Sequence, residues 1–238
     1  MKQFLILLLT VFTLASCDQT TGSGNIVTET RKTGGFDGIS VGGGFGVEVK
    51  IGAVTSVKVE ADDNIIKYIE TKVSGNILKI STEDLHNYSD VHMKVYVTAP
   101  AIIHIKASAS ADVMAENILT GSDRLTFKAS SSASIRAEVD APEIETDASS
   151  SATITLTGKT KTHKAEASSS AEIKAFGLLS ENTTAHASSS ADIEVHASVN
   201  LDAKASSSGS IEYKGAAAVT KSENSSGSVS KKDWLAID

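Results

Sequence analysis

Cysteine occurs once in this 238-residue chain, at position 17, and proline only twice, at 100 and 142. A single cysteine can make neither an internal disulfide nor a cysteine-based zinc site. Aromatic residues are 5% of the chain while hydrophobic residues are 40%. A core can form, but it must be narrow and built largely from small side chains. Basic residues are outnumbered 22 to 29, for a formal net charge of −7 and a pI near 5.4. That balance argues against a nucleic-acid partner, whose phosphates call for a basic surface.

What the chain has in excess is serine and alanine, 34 and 29 residues, about a quarter of the total. Such a composition belongs either to a disordered low-complexity chain or to a small-residue motif repeated inside regular structure. The order of the residues decides between these.

Residues 1–16 read as a leader: Lys2, then an apolar stretch of eleven residues from Phe4 to Leu14, then Ala15-Ser16 before Cys17. The stretch is too short for a stable membrane span. Small residues directly before a cysteine resemble the lipobox of bacterial lipoproteins. The resemblance implies that the Cys17 thiol takes a diacylglyceryl group, that cleavage precedes Cys17, and that its amine is acylated. Two or more acyl chains, at about 0.8 kcal/mol per buried CH₂, make a stable anchor. Loss of Lys2 with the leader takes the formal charge of the mature chain from −7 to −8. Residues 17–34 are polar and read as the lipidated N-terminus followed by a flexible tether. An acidic body is repelled by anionic headgroups, so the lipid alone holds it at the membrane. Asp18, next to Cys17, signals inner-membrane retention in enteric bacteria, but that rule does not carry over to other phyla. An exported lipoprotein of the outer membrane, periplasmic or surface-exposed, is the favoured location.

The repeat is plain once sought. Ala107-Ser-Ala-Ser-Ala-Asp-Val113 is followed by related segments at 129–135, 148–154, 167–173, 187–193 and 205–211, and a worn copy, Asn224-Ser-Ser-Gly-Ser-Val229, closes the series. The closing Ile or Val residues at 113, 135, 154, 173, 193, 211 and 229 are 18 to 22 residues apart. Within each copy the period is two: Ala165, Ala167, Ser169, Ala171, Ile173 and Ala175 share one face, with Lys164, Glu166, Glu172 and Lys174 on the other. Strict alternation means strand. A strand-based unit at this spacing is one coil of a single-stranded parallel β-solenoid, an all-β fold whose equivalent residues stack in columns. Ile135, Ile154, Ile173, Ile193 and Ile211 form the main inward column. Two placements of the serine triplets are open. If alternation continues through them, serines 131, 150, 169, 189 and 207 face inward as a hydroxyl ladder, and their neighbours form a flat outward hydroxyl face suited to glycan or ordered water. If the triplet is a bend, these serines meet solvent.

Residues 106–238 are the regular coils, with Lys221 in the slot held by Ala203 one coil earlier and Trp234 and Leu235 as a C-terminal cap. Residues 35–105 are less regular. Val47–Ile51, Val57–Glu60, Ile77–Ile80 and Met93–Val97 read as strands, Ser74-Gly75-Asn76 as a hairpin turn, and Asp62 or Asp63 as the N-cap of a short helical turn. Pro100 marks a corner entering the repeat.

The run from Phe36 to Val49 (FDGISVGGGFGVEV), then Val57 to Glu70 and Gly75 to Ile80, resembles the head GIN domain, described as an auto-transporter adhesin domain. The resemblance covers about residues 35–215. It implies a right-handed parallel β-helix, common in secreted and lipid-anchored proteins of Bacteroidetes, with no established activity and no catalytic signature.

The chemical constellations are sparse. Gly38-Ile-Ser40-Val-Gly42 matches a nucleophile elbow, but a strand follows where a helix is required. The Gly42–Gly46 run opens no helix, so it is a bend rather than a phosphate loop. Histidines 86, 92, 104, 163, 186 and 196 lack ligand spacing and read as solvated surface. Asp62-Asp63-Asn64 lacks the spaced oxygens of a calcium loop. Asp112, Glu172 and Asp192 share a column interrupted by Ser134 and Thr153, which argues against a polysaccharide-cleaving site. No catalytic residue, cofactor or metal ligand is expected. The reading is therefore a lipid-anchored envelope β-helix, structural or adhesive, with a glycan or a protein as partner and homo-oligomerisation open. The alternative is an envelope accessory or sensing protein that binds another protein. A polysaccharide-active enzyme comes third.

Overall fold

The computed structural model describes residues 19–83, 87–121 and 123–232. Cys17, His86, Trp234 and Leu235 lie outside them. Among the described residues the only helical element is a 3-10 turn, Ile66–Tyr68. Everything else of regular structure is strand, stacked as a β-solenoid of about seven turns.

The serine/alanine repeat supplies β10 (His104–Ser108), β11 (Asp112–Ala115), β12 (Leu119–Thr120), β13 (Arg124–Ala129), β14 (Ser134–Ala148), β15 (Thr153–Ala167), β16 (Glu172–Ala187), β17 (Asp192–His196), β18 (Asn200–Ala205), β19 (Ser210–Lys214), β20 (Ala218–Glu223) and β21 (Ser228–Lys231). Each coil pairs in parallel with the next. Ile135 is opposite Ile154, Ile154 opposite Ile173, Ile173 opposite Ile193, and Ile193 opposite Ile211. All five are at most 1% exposed, so the ladder expected from the spacing is the centre of the core. Alanines 133, 152, 171 and 191 form a second buried column beside it. In the regular coils this position beside the turn is filled by alanine alone, which keeps that side of the interior narrow.

The serine triplets are bends. Ser131 and Ser132 have φ of 53° and 62°, and the pairs 150/151, 169/170, 189/190, 207/208 and 225/226 repeat this left-handed conformation. The N–H of Ala133 closes the turn on the carbonyl of Ser130 at 3.2 Å, the pattern of a type I′ turn. The two left-handed residues are exposed in every coil, so the inward hydroxyl ladder does not form. Along the axis each turn is tied to the next. Ser132 N–H donates to Ser150 O, Ser151 to Ser169, Ser170 to Ser189 and Ser190 to Ser207, each at 3.0 Å. The bend uses an even number of residues, so inward parity is the same on both sides of it. Ala167 and Ala171 both point inward although Ser169 between them does not.

The solenoid extends below the repeat. β3 (Gly38–Gly42) and β4 (Gly46–Ile51) pair in parallel with β10 and β11, placing Val41 on Ala107 and Val47 on Val113. The Gly42–Gly46 run therefore takes the place of a serine turn, with Phe45 where Ala111 stands between β10 and β11, but it bends differently: only Gly43 has a positive φ, and the Phe45 N–H donates to Gly43 O at 2.7 Å. Beneath it lie β7 (Ile77–Thr82) and β9 (Met93–Ala99), also parallel. β5 (Ser56–Asp62) and β6 (Ile69–Ser74) then pair antiparallel with β9 and β7 and close this end. The Ser74–Asn76 hairpin forms as expected, with Gly75 and Asn76 left-handed.

Two expectations change. The 3-10 turn has Ile65 at its N-cap and no side-chain cap. The buried Asp62 carboxylate instead accepts the N–H groups of Gly24 and His92, both at 2.7 Å. In addition, much of the polar stretch 17–34 is strand. β1 (Gln19–Thr21) pairs in parallel with β8 (Asn87–Ser89), and β2 (Ile26–Arg31) pairs antiparallel with β5. Polarity alone suggested a tether, but β2 needs only one face and one edge to be held.

Candidate functional site

Parallel stacking keeps each flank regular, so the flank steps only where coil length changes. The Ile-to-Ile spacing is 19 residues from 154 to 173, 20 from 173 to 193, and 18 from 193 to 211. The extra residue of the 20-residue coil shifts the β15–β16 register between Thr155 and Thr157, opposite Gly177. The following coil is shorter and cuts its corner: β17 ends at His196 and β18 begins at Asn200. The step between the long and the short coil is a groove of about 690 Å³.

Three corner segments and the 196–198 link line this groove. Asp140, Lys159 and Leu179 form one column; Ala141, Thr160 and Ser180 form the next. Leu179 is 56% exposed, a large apolar side chain presented to solvent. Pro142 and Ala141 add apolar surface beside it, while Lys159, Lys161, Asp140 and Glu181 supply charges of both signs at the margins. Lys159 pairs with Asp140 at 3.2 Å. The wall is hydrogen-bonded across the corner: Ser198 N–H donates to Ser180 O (3.0 Å), and Thr183 Oγ1 donates to the carbonyl of His196 (3.0 Å). Ser180 and Thr183 are buried and hydrogen-bonded to each other. No aromatic side chain lines the groove.

The residues singled out in the sequence do not converge. Ser40 sits mid-strand with Lys79 and Lys106 as its register partners, so the elbow motif carries no triad. Glu172 stacks on Asp192 and Asp112 on Ser134, as the column argument expects. Burial, then Glu212 and Glu172, push the Glu194 carboxyl above the usual range. Lys164 and Arg124, at 2.7 and 3.1 Å, hold Glu143 below it. Among the described residues no three His, Cys, Asp or Glu side chains are grouped to hold a metal.

His92 is exposed, as the surface expectation has it, but His163 departs from it. His163 is fully buried in the bore. Its Nε2 is 3.0 Å from Thr146 Oγ1 and its Nδ1 has no partner. Burial alone lowers its pKa to about 4. His104 is also lowered, by burial and then by Lys128. His186 and His196 are half-buried. Parity could have flagged His163, since it continues the inward column of Leu125 and Ile144.

Residues 35–217 match the family model described as "Putative auto-transporter adhesin, head GIN domain". Among solved structures, the chain is similar to a "putative adhesin" from Bacteroides fragilis at 22% identity and TM-score 0.82, covering 89% of this chain and 98% of that one. It is also similar to a "putative adhesin" from Parabacteroides distasonis, at 24% identity and TM-score 0.74, with 90% and 100% covered. A "Putative lipid binding protein" from the same species aligns at 22% identity and TM-score 0.75, with 91% and 100% covered. At these identities the likeness is one of fold. No curated protein matches the chain in sequence.

Proposed function

The chain belongs to the head GIN domain family, and on that premise we propose that it is a lipid-anchored protein of the cell envelope that binds a protein partner through its flank and catalyses no reaction. The groove carries this reading. It combines an exposed leucine, a proline and paired charges of both signs on a hydrogen-bonded wall, which is the mixed apolar and polar composition of a protein contact. Without an aromatic platform it is poorly suited to stacking on sugar rings. Adhesive contact with a protein surface is the role that fits both this composition and the family description. The anchor rests on the Leu14-Ala15-Ser16-Cys17 sequence. Among the described residues no helix is long and apolar enough to cross a membrane.

Two measurements test the reading. Metabolic labelling with a tagged fatty acid should mark the wild type and not Cys17→Ala; equal labelling of both removes the anchor. Leu179→Glu should fold normally, because the side chain is already exposed, and should lose binding of whole cells or surface-protein extracts. Binding that survives this change, or binding only to a glycan array, removes the groove as the protein-contact site.

A further inference from the structure

Outward residues stack in columns as inward ones do, and one outward column departs from the acidic character of the chain. Lys72 is opposite Lys79, Lys79 opposite Ser40, Ser40 opposite Lys106, and Lys106 opposite Lys128, across β6, β7, β3, β10 and β13. Four strand spacings separate the ends of this row, about 19 Å. In a chain of net charge −7 the row holds lysines and no acid. Like charges stand directly opposite each other at both of its ends, an arrangement that costs stability in a sheet. Lys72 pairs with Glu70 at 2.7 Å and Lys128 with Asp147 at 3.6 Å. Lys79 and Lys106 are exposed and make no ion pair or hydrogen bond among the described residues. His104, two residues before Lys106 on the same face, registers the resulting field. Burial, then Lys128 and Lys106, hold its pKa below the usual histidine range against the pull of Asp37. Beside the two stacked lysines is a hollow of about 170 Å³, lined by Lys106, Lys128, Ala129, Ser130, Asp147 and Ser149.

We infer that the row Lys72, Lys79, Lys106 and Lys128 is a binding site for an acidic polysaccharide, whose carboxylates it takes along the solenoid axis. The row is straight and one residue wide, which suits an extended chain better than a compact anion. A sugar ring in an extended polyuronate is about as long as one strand spacing, so successive coils can meet successive carboxylates. Recognition is by charge, with the Ser40 and Ser130 hydroxyls alongside to hydrogen-bond the sugar, so it needs no aromatic platform. An acidic peptide strand would need main-chain partners. β7, β3, β10 and β13 are interior strands, each already paired on both sides. An anionic bilayer is broader than the row and would meet Glu70, Glu145 and Asp147 at its margins. The row shares only the solenoid with the flank groove and no lining residue.

The test measures fluorescence polarisation of a labelled oligogalacturonate mixed with the full chain in neutral detergent at low salt. The wild type should bind it, neutral dextran should not compete, and added salt should weaken binding steeply. The double variant Lys79→Gln, Lys106→Gln changes two exposed side chains, so its circular dichroism should match the wild type while its affinity falls about tenfold or more. Leu179→Glu, in the groove, should bind as the wild type does. No binding by the wild type, equal binding by the lysine variant, or equal competition by dextran overturns the inference. So does displacement by phosphatidylglycerol micelles at a lower concentration than by unlabelled oligogalacturonate, which would make a lipid headgroup the occupant. Loss of binding in Leu179→Glu would move the polysaccharide to the groove and overturn it too. The anchor and the protein contact proposed above are judged by their own measurements.

Discussion

Thr146 and His163 sit side by side in the bore of the solenoid, Oγ1 3.0 Å from Nε2, with His163 fully out of reach of solvent. The imidazole and the Thr183 hydroxyl interrupt an apolar column that runs Leu125, Ile144, His163, Thr183, Leu201. It is held neutral because burial opposes its charge.

Stability should therefore fall in mild acid. The folded-state pKa of His163 is lowered from 6.5 to about 4, so the unfolded chain binds the proton first. Its contribution is fully present above pH 6.5 and is lost as pH drops from 6.5 towards 4. The loss is on the order of 3 kcal/mol by the end of that window and about 2 kcal/mol at pH 5. Urea midpoints at pH 7.5 and 5 should show this drop in the wild type and a much smaller one in His163→Leu. Equal drops in both would place the acid sensitivity elsewhere.

Gly158 should tolerate no side chain. Its φ is +111°, and a Cβ there would lie 2.0 Å from the carbonyl oxygen of Val139 on the coil below. Backbone of a stacked coil cannot move aside without breaking the ladder. Gly158→Ala should cost more than about 3 kcal/mol and lower the melting temperature by several degrees. Gly44→Ala, where a Cβ meets nothing within 4 Å, should change the melting temperature little.

The serine turns should discriminate by side-chain shape at their left-handed positions. Ser189 has φ of 52° and is exposed. A β-branched residue is strained there, so Ser189→Val should cost about 1–2 kcal/mol, while Ser189→Asn should be neutral. Chemical denaturation of the two variants tests this; a harmless valine would show that the turn can change its conformation.

Lys221 should act as a guard on the far end. It stacks on buried Ala203, and its Nζ reaches Glu223 Oε1 (3.2 Å) and the carbonyl of Val229 (3.3 Å). Every residue of its strand, β20, is exposed. Replacing the charge with an apolar residue removes the obstacle to pairing with another edge. Lys221→Val should increase self-association in light scattering at high concentration, and a mass unchanged from wild type would count against the guard.

Much of this architecture can be read from residue order, for a physical reason. In-register stacking turns sequence period into spatial column, so Ile135 to Ile211 can be aligned by counting. The same counting aligns Lys128 with Asp147, which pair at 3.6 Å. Counting fails where parity is blind. An even-residue bend leaves the inward faces in phase, so alternation looks unbroken through Ser169 although that residue faces water. It also fails for Gly42–Gly46, whose composition hides that it lies in line with the serine turns, and for β1 and β2, whose partners are far along the chain.

The sequence by itself determined the coil and its columns, because each depends only on spacing along the chain. The direction of the serine triplets, the burial of His163, the groove at the step between long and short coils, and the clamping of β1 two residues from Cys17 were decided by tertiary structure alone. Each depends on which distant segment lies alongside, and no local pattern encodes that.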